Sequence, residues 1–504
     1  MKRLYLLGID IGTSACKAAL FDRKGQVLAA ANGEYPVYYP EEGWAEQNPE
    51  EWWSAVCEAV RQVIRKAGIQ PEAIAGVGID GQSWSAIAID KGGKVLTNTP
   101  IWMDTRAQSI CDRLNEEIGE EEIFRIAGNS LQPSYTTAKI LWYKENLPEV
   151  YSKIYKILQS NSYIAFKLTG QISQDLSQGY GFHCFDMRTG QWDEEMCKKM
   201  GIPRDFLPEI VPSDRIIGTV TKKAAEESGL AEGTPVAAGG LDAACGTLGA
   251  GVIHSGETQE QGGQAGGMSI CIEKYQADPR LILGFHVIPG KWLLQGGTTG
   301  GGGVMRWFER EFADYERLMK EQTGISSLDQ LNEIAEKVKP GCDGLVFLPY
   351  MAGERSPIWN PHAKGVFYGL DFSKTKGHMV RACMEGVAFS LRHNMETAEK
   401  AGAKAEILRA MGGSANSLLW TQIKSDITGK TMAVPASDTA TTLGAALLAG
   451  VGTGFYKDYE EAVAQTVKVT RKHQPDLEKK AVYDKNYETY LELYRSLSGL
   501  MKKA

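Results

Sequence analysis

The sequence predicts an α/β protein with two domains, from its length, its alternating hydrophobic pattern and its clustered glycines. The chain has 504 residues, and a domain typically takes about 150 residues. Short apolar runs alternate with amphipathic stretches, which favours helices packed in layers against sheets. The 56 glycines gather in a few loops, which indicates close approach of the backbone to ligands or tight strand ends. We expect the boundary between the domains near residues 250–256.

Strands and helices alternate in the first half of the chain. Apolar or β-branched runs predict strands at 4–9, 18–21, 76–79, 86–89 and 235–238. Helical spacing of apolar residues predicts a helix over 49–66 and a mostly helical stretch over 109–168.

The second half shows the same alternation and ends in charged segments. Strands are predicted at 268–273, 292–295 and 345–348, and helices at 378–400 and 417–428. The last segment, 456–504, has the pattern of amphipathic helices with many charges. We therefore expect one domain over 1–253, a second over 254–455, and C-terminal helices over 456–504 that pack on them.

The composition disfavours several classes of partner. The net charge of −7 and the lack of a basic run argue against nucleic-acid binding. Nine scattered cysteines without a C-x-x-C motif predict free thiols in a reducing cytoplasm. No apolar run reaches about 18 residues, so we expect no membrane span, and the apolar N-terminal run is too short for a signal sequence.

An acid and a small polar turn follow the first predicted strand. The segment 8–14, Gly-Ile-Asp-Ile-Gly-Thr-Ser, would present backbone N–H groups and two hydroxyls to a phosphate chain. Asp10 would lie where it can hold a hydrated Mg²⁺ ion, because this ion keeps its waters and takes few carboxylates. The alternative is an ordinary β-hairpin whose Asp and Thr bond their own turn.

A second acid follows the predicted strand at 235–238. Asp242 lies in a glycine-flanked turn before a segment of small residues. A carboxylate in this position can accept a proton from a hydroxyl that attacks phosphorus. An Asp that only caps a helix at a strand–helix junction is the alternative.

Three glycine-rich segments border predicted strands in the second half, at 261–267, 296–303 and 411–417. Runs of glycine are costly in folding entropy, so we expect the backbone to approach a ligand there. Flexible loops or simple strand–helix turns are the alternatives. Two other matches fail: Lys424 replaces the first glycine of a P-loop, and the G-x-G-x-x-G of 76–81 has its first glycines inside a strand.

The order of these motifs resembles that of the FGGY family of carbohydrate kinases over nearly the whole chain. The resemblance rests on 8–14, on Gly-Trp-Ala-Glu-Gln-Asn-Pro at 43–49, on Trp-Met-Asp-Thr-Arg at 102–106, on Leu-Pro-Tyr-Met-Ala-Gly-Glu-Arg-Ser-Pro at 348–357, on Met-Gly-Gly-Ser at 411–414 and on Thr-Leu-Gly-Ala-Ala at 442–446. It implies a two-domain actin-like ATPase (ribonuclease H-like) fold with a cleft between the domains.

The resemblance also implies roles for matching positions. Asp242 would be the catalytic base, and Asp10 would position Mg²⁺ through water. ATP would lie near Gly12, Thr13, Ser14, Lys17, Gly263, Gln264, Thr298, Thr299, Gly412, Gly413 and Asn416. The sugar would meet Gln82, Ser83, Trp84, Asp104, Arg106 and Asp242.

The function that the resemblance implies is ATP-dependent phosphorylation of a small sugar or polyol in the cytoplasm, and we expect a homodimer. A ketopentose such as xylulose is the leading acceptor, although Ser83-Trp84 and Ala243 differ from the residues usual in xylulokinase-like members. An actin-like nucleotide switch is one alternative. A non-catalytic sugar sensor is another, because Gln264-Ala265 replaces the family's Thr-Ser.

Overall fold

The computed structural model describes residues 3–436 and 439–503. The first part of the chain contributes the strands β1 Tyr5–Ile11, β2 Ala15–Phe21, β3 Val27–Glu34, β4 Glu46–Gln47, β5 Ile74–Gly81, β6 Ile87–Ile89, β7 Thr99–Pro100, β8 Lys156–Leu158, β9 Gln174–Asp175, β10 Phe185–Asp186, β11 Gln191–Trp192, β12 Ile210–Val211, β13 Ile216–Thr219, β14 Pro235–Ala237 and β15 Gly240–Leu241. The second part contributes β16 Glu257–Gly262, β17 Gly266–Ile272, β18 Ile282–Phe285, β19 Trp292–Thr298, β20 Val346–Leu348, β21 Val366–Tyr368, β22 Ile407–Met411, β23 Thr431–Pro435 and β24 Val469–His473.

Two seven-stranded sheets form the centres of two lobes, and they share one arrangement. The first has the order β13-β14-β5-β1-β2-β3, with β15 also paired to β5, and the second has the order β18-β19-β17-β16-β22-β23-β24. In each sheet three neighbouring strands are antiparallel: β1, β2 and β3 in the first, and β16, β17 and β19 in the second. On the other side of β1 and β16, two parallel strands follow: β5 and β14 in the first sheet, and β22 and β23 in the second. The predicted two-part α/β architecture is therefore confirmed.

Helices cover the sheets. They are α1 Pro49–Ala67, α2 Gln108–Ile118, α3 Glu120–Ala127, α4 Thr136–Asn146, α5 Pro148–Tyr151, α6 Ser160–Thr169, α7 Glu194–Met200, α8 Lys222–Ser228, α9 Asp242–Gly249, α10 Gly302–Phe312, α11 Asp314–Thr323, α12 Ser327–Glu336, α13 Lys376–Lys400, α14 Leu418–Thr428, α15 Ala440–Gly452, α16 Tyr459–Thr466 and α17 Lys480–Met501. Local chemistry explains the predicted helix α1. The Asn48 side chain accepts a hydrogen bond from the Glu50 N–H, Pro49 starts the first turn, and Gly68 ends the helix in the left-handed conformation.

Two helices of small residues, α9 and α15, pack against each other. Although α15 follows the second sheet in sequence, it lies against β1 and β5 of the first. A Cβ atom at Gly78 would lie 1.8 Å from the Ala445 carbonyl oxygen, and one at Gly444 would lie 1.8 Å from that of Cys245. Only glycine fits these contacts, because any side chain would collide with backbone. The domain limits at 253 and 455 stay predictions.

The predicted strand at 86–89 is confirmed as β6, which pairs with β8 outside the main sheet. The structure differs from the predicted elements in the last segment of the chain. The segment 456–504 contains not only α16 and α17 but also β24, which pairs antiparallel with β23. Its sequence, Val-Thr-Arg-Lys-His, carries the charges typical of an edge strand, and these obscured the strand signal. None of the described helices is both long enough and apolar enough to cross a bilayer.

Candidate active site

Three carboxylates meet where strands of the first sheet end. Asp10 is the penultimate residue of β1 and pairs in register with Asp80 of the parallel strand β5. On the other side of Asp80, β15 pairs with β5 through Gly240, and Asp242 begins α9 directly after β15. Because parallel strands place their carboxyl ends at one edge, three acids from distant parts of the sequence are brought together.

The electrostatics of this edge are dominated by burial and like charge. Asp10 is 5% exposed, and Lys17 lies 3.6 Å from its Oδ2 atom with a largely exposed side chain. Burial raises the pKa of Asp10 against the lowering effect of Lys17. Burial, followed by the charges of Asp10 and Asp242, raises the pKa of Asp80 well above its ordinary value. Burial and Asp10 raise the pKa of Asp242 to about 7.

The Asp242 side chain lies outside the packed core and close to Asp10. The residue is half-buried, and its carboxylate interacts electrostatically with that of Asp10. The Ala243 N–H donates to its Oδ1 atom at 2.6 Å. This hydrogen bond holds the Oδ1 atom in place and leaves the Oδ2 atom of Asp242 unconstrained by Ala243.

Two side chains of the first lobe hold the turn 12–14 in place through hydrogen bonds. The Tyr35 hydroxyl donates to the Gly12 carbonyl at 2.6 Å, and the Trp102 indole N–H donates to the Thr13 hydroxyl at 3.0 Å. The Ser14 side chain is exposed, as is that of Lys17. The turn can therefore present its groups to a ligand, although the roles of Gly12, Thr13, Ser14 and Lys17 stay predictions.

Gln82, Ser83 and Trp84 follow β5 and extend the site away from the carboxylates. The Gln82 amide donates to Gln47 Oε1 at 2.8 Å, and the Gln47 amide donates to the Thr13 carbonyl at 2.8 Å, so the predicted sugar segment is linked to the turn. Gln82 Oε1 is buried and accepts no hydrogen bond from any residue that the structure describes.

Trp84 has an unusual backbone conformation, with φ of +62°. Such strain in a non-glycine residue persists only when its surroundings enforce it, and it is frequent at functional sites. The indole stacks on Tyr135 with ring centres 4.1 Å apart.

A buried lysine, Lys139, lies next to this segment, and no sequence motif singles it out. It is fully buried and donates to the carbonyls of Trp84, Ile101 and Ser134 at 2.8, 2.7 and 2.6 Å. It ties three loops together, and burial lowers its pKa to about 7.

Asp104 and Arg106 form a buried ion pair at the base of the loop around Trp44. Asp104 accepts from the Ala45 N–H at 2.7 Å and from the Arg106 Nε at 2.9 Å. The guanidinium also donates to Glu46 at 2.9 Å and lies 3.8 Å from the centre of the Trp44 ring. These contacts orient the loop, and direct contact with a sugar stays a prediction for both residues.

A cavity of about 340 Å³ lies in the second lobe, between the glycine loops and three helices. The lining includes the predicted residues Gly263, Gly413 and Asn416, together with four further members of the predicted glycine-rich segments, Gly262, Gly302, Ser414 and Ser417. It also includes residues that the sequence did not single out: Met305, Arg306, Ser326, Leu328, Asp329, Asn332, Met384 and Trp420. These come mainly from α10, α12 and α14, whose sequences carry no motif that would have connected them. Gly412 adjoins the cavity in a positive-φ conformation of +81°, with its Cβ position 3.0 Å from Gly262.

The other predicted phosphate residues bond to neighbouring protein groups. The Gln264 side-chain oxygen accepts from Arg306 at 2.6 Å. The Thr298 hydroxyl donates to Glu354 at 2.6 Å, and the Thr299 N–H donates to the same carboxylate at 3.0 Å. Burial raises the pKa of Glu354 to about 7. Contact of Gln264, Thr298 and Thr299 with ATP stays a prediction.

A buried ion pair lies under two of the glycine loops. Lys424 Nζ bonds to Glu260 Oε1 at 2.6 Å and to the Ser414 hydroxyl at 2.7 Å, and both charged side chains are almost fully buried. A Cβ atom at Gly262 would lie 3.1 Å from this ammonium group. Lys424 therefore positions the loops around residues 262 and 414, which line the cavity.

Known proteins resemble this chain along its whole length. It matches the N-terminal domain of the FGGY family of carbohydrate kinases over residues 5–249 and the C-terminal domain over residues 273–453. A xylulose kinase of Bacillus subtilis is 31% identical over 495 residues, 98% of this chain and 96% of the relative. A gluconokinase of the same species is 34% identical over 501 residues, 99% of this chain and 96% of the relative.

Solved structures agree with the sequence comparison. The structure of a xylulose kinase from Rhodospirillum rubrum has a TM-score of 0.90 and 29% identity, and covers 99% of this chain and 100% of that one. A gluconate kinase from Lactobacillus acidophilus has a TM-score of 0.90 and 27% identity, with 99% of both chains covered. The two-domain actin-like fold implied by the sequence resemblance is confirmed. The chain therefore belongs to the FGGY family of carbohydrate kinases, ATP-dependent phosphotransferases that act on carbohydrates.

Proposed function

We propose that this kinase transfers the γ-phosphoryl group of ATP to a hydroxyl of a ketopentose such as xylulose, with Asp242 as the base. The observation that carries the proposal is the position of Asp242, half-buried beside Asp10 at the edge of the first sheet. A base works best when its pKa is near the working pH, and burial brings that of Asp242 to about 7.

Asp242 would take the proton as the sugar oxygen attacks phosphorus. The bond from Ala243 fixes its Oδ1 atom, so the other oxygen can receive the proton. Phosphoryl transfer needs positioning and charge neutralisation more than covalent chemistry. The linked chain Gln82–Gln47–Thr13 would transmit the position of the sugar segment to the phosphate-binding turn.

The residues present fit Mg²⁺. Both oxygens of Asp80 are buried without a hydrogen bond from any described residue, and Asp10 lies beside them, so the edge offers the oxygen ligands that this ion prefers. Asp10 would hold the ion through water, and the ion when bound would neutralise charge on the phosphate oxygens.

The nucleotide would occupy the 340 Å³ cavity of the second lobe, which contains Gly263, Gly413 and Asn416. The sugar would lie by Gln82, Ser83 and Trp84, where the buried Gln82 Oε1 lacks a protein donor among the described residues and can accept from a hydroxyl. A homodimer and a cytoplasmic location stay predictions.

An aldonate such as gluconate is a second candidate acceptor. The relatives include gluconokinases. The Arg355 guanidinium lies 5.4 Å from the centre of the Trp102 ring. It is also close enough to Tyr135 for its charge to oppose the rise that burial causes in the pKa of the tyrosine hydroxyl. A positive charge on the sugar side would favour an acceptor with a carboxylate.

The test is a screen of ADP release with ketopentoses, polyols, deoxy sugars and aldonates. We expect turnover with one of these acceptors, and we expect Asp242→Asn to lower it by about 10²-fold or more without weakening nucleotide binding. The control is Asp205→Asn, which neutralises an exposed acid of the same lobe. Wild-type turnover in Asp242→Asn would show that another group is the base. ATP hydrolysis that no acceptor stimulates would argue against the acceptor class.

A further inference from the structure

The sequence Gly-Ile-Asp occurs twice, and the fold places the two copies side by side. The first copy ends at Asp10 and the second at Asp80. Strands β1 and β5 are parallel and in register, so that Gly8 pairs with Gly78, Ile9 with Ile79 and Asp10 with Asp80. A side chain's direction alternates along a strand, so residues paired in register point to the same face.

Asp80 has no protein donor to satisfy it. Its relative exposure is 0%, and neither carboxylate oxygen receives a hydrogen bond from residues 3–436 or 439–503. The group within hydrogen-bonding reach is the Asp10 carboxylate, which is also an acceptor. A buried carboxylate without a partner costs several kcal/mol by any reference, and two adjacent ones repel each other as well.

A positive species must balance this pair. Lys17 lies 3.6 Å from Asp10 with a side chain that is 61% exposed, and it gives no hydrogen bond to Asp80. Asp242 adds a third negative charge to the same edge. A compact divalent ion with oxygen preference matches two converging carboxylates, and it leaves Asp242 free to act as a base.

We infer that Asp80 and Asp10 together bind a divalent cation, in a site that is present before nucleotide arrives. This inference rests on the proposed function for its biological meaning, but the binding itself does not need a sugar or ATP. The inference makes Asp80 a metal-binding residue, so that the Mg²⁺ site has two carboxylates, those of Asp10 and Asp80, instead of that of Asp10 alone.

Mn²⁺ alone is the probe, because its free form is quantified by electron paramagnetic resonance. The purified chain, without nucleotide or sugar, should bind one Mn²⁺ ion, and Mg²⁺ should displace it. We expect Asp80→Asn to weaken this affinity by at least about tenfold, since loss of even an outer-shell partner has that effect. Asp205→Asn, which alters an exposed acid, should bind Mn²⁺ as the wild type does.

Thermal unfolding supplies a second measurement. Without metal, Asp80→Asn should unfold at a higher temperature than the wild type, because the amide removes like-charge repulsion and can donate to Asp10. Mn²⁺ should raise the unfolding temperature of the wild type by more than that of the variant, because the variant binds the ion more weakly. A residue with only a packing role would show neither effect.

The inference is overturned if the metal-free wild type binds no Mn²⁺, or if Asp80→Asn binds it equally well. The first result would mean that the two carboxylates share a proton instead. These outcomes are independent of the acceptor screen: a chain that binds Mn²⁺ but phosphorylates none of the acceptors would refute the proposed function and leave the metal site standing.

Discussion

Removal of the Lys424 ammonium should both destabilise the protein and weaken nucleotide binding. Lys424→Met would leave Glu260 buried and charged, with the loss of its 2.6 Å partner. Breaking a buried pair by removing one member costs about 3–5 kcal/mol, and we expect that loss in the free energy of unfolding. The bond to Ser414 is lost as well. A hydrogen bond to a charged group contributes about 1.5–3 kcal/mol, so we expect nucleotide affinity to fall by about 10- to 150-fold if that loss falls on the loop around Ser414.

The assays are urea unfolding followed by circular dichroism and titration of ATP binding by calorimetry. The double variant Lys424→Met with Glu260→Met removes both charges, and most of the stability should return because apolar groups of similar volume often replace a buried pair at little cost. Lys472→Met changes an exposed lysine of the same lobe and should alter stability by less than about 0.5 kcal/mol. The reasoning fails if Lys424→Met costs under about 1 kcal/mol, or if the double variant is no more stable than the single one.

Two further predictions concern catalysis by Asp242 and the packing of α15. Because the pKa of Asp242 is raised to about 7, kcat/KM should rise with pH below that value and level off above it. Because the charge of Lys17 lowers the pKa of Asp242, Lys17→Met should move the acid limb of the pH profile to higher pH. If the acid limb of the wild type lies below about pH 5, the assignment of Asp242 as the base is wrong. Gly78→Ala places a Cβ 1.8 Å from the Ala445 carbonyl oxygen, so it should cost about 3 kcal/mol or more in unfolding free energy. Gly499→Ala, which adds a Cβ in open space on α17, should instead stabilise by up to about 1 kcal/mol, and equal effects of the two changes would refute the packing argument.

Local patterns predicted the elements that carry the site. The strand before Asp10, the strand before Asp242 and helix α1 follow from apolar spacing and from capping residues within a few positions. The glycine segments around 263 and 413 were predicted to approach a ligand, and both line the cavity of the second lobe. Their contact with ATP remains a prediction.

Strand register decided the role that we assign to Asp80. In the sequence alone, residues 76–81 stand out only as a G-x-G-x-x-G pattern whose first glycines lie inside a predicted strand. The repeated Gly-Ile-Asp was the available signal, but a repeat of three residues becomes informative only when β1 and β5 are known to be parallel neighbours in register. The Lys424 pair was equally hidden, because Glu260 lies 164 positions away in the chain.

By itself, the sequence determined the α/β class, the family and the acids Asp10 and Asp242, because these depend on short patterns and on their order. Only the tertiary structure decided which residues share the carboxylate edge, which helices enclose the cavity of the second lobe, and that α15 packs on the first sheet. The physical reason is that secondary structure follows from side chains a few positions apart. Burial, charge pairing and metal affinity depend instead on groups that meet only when distant strands and helices pack together.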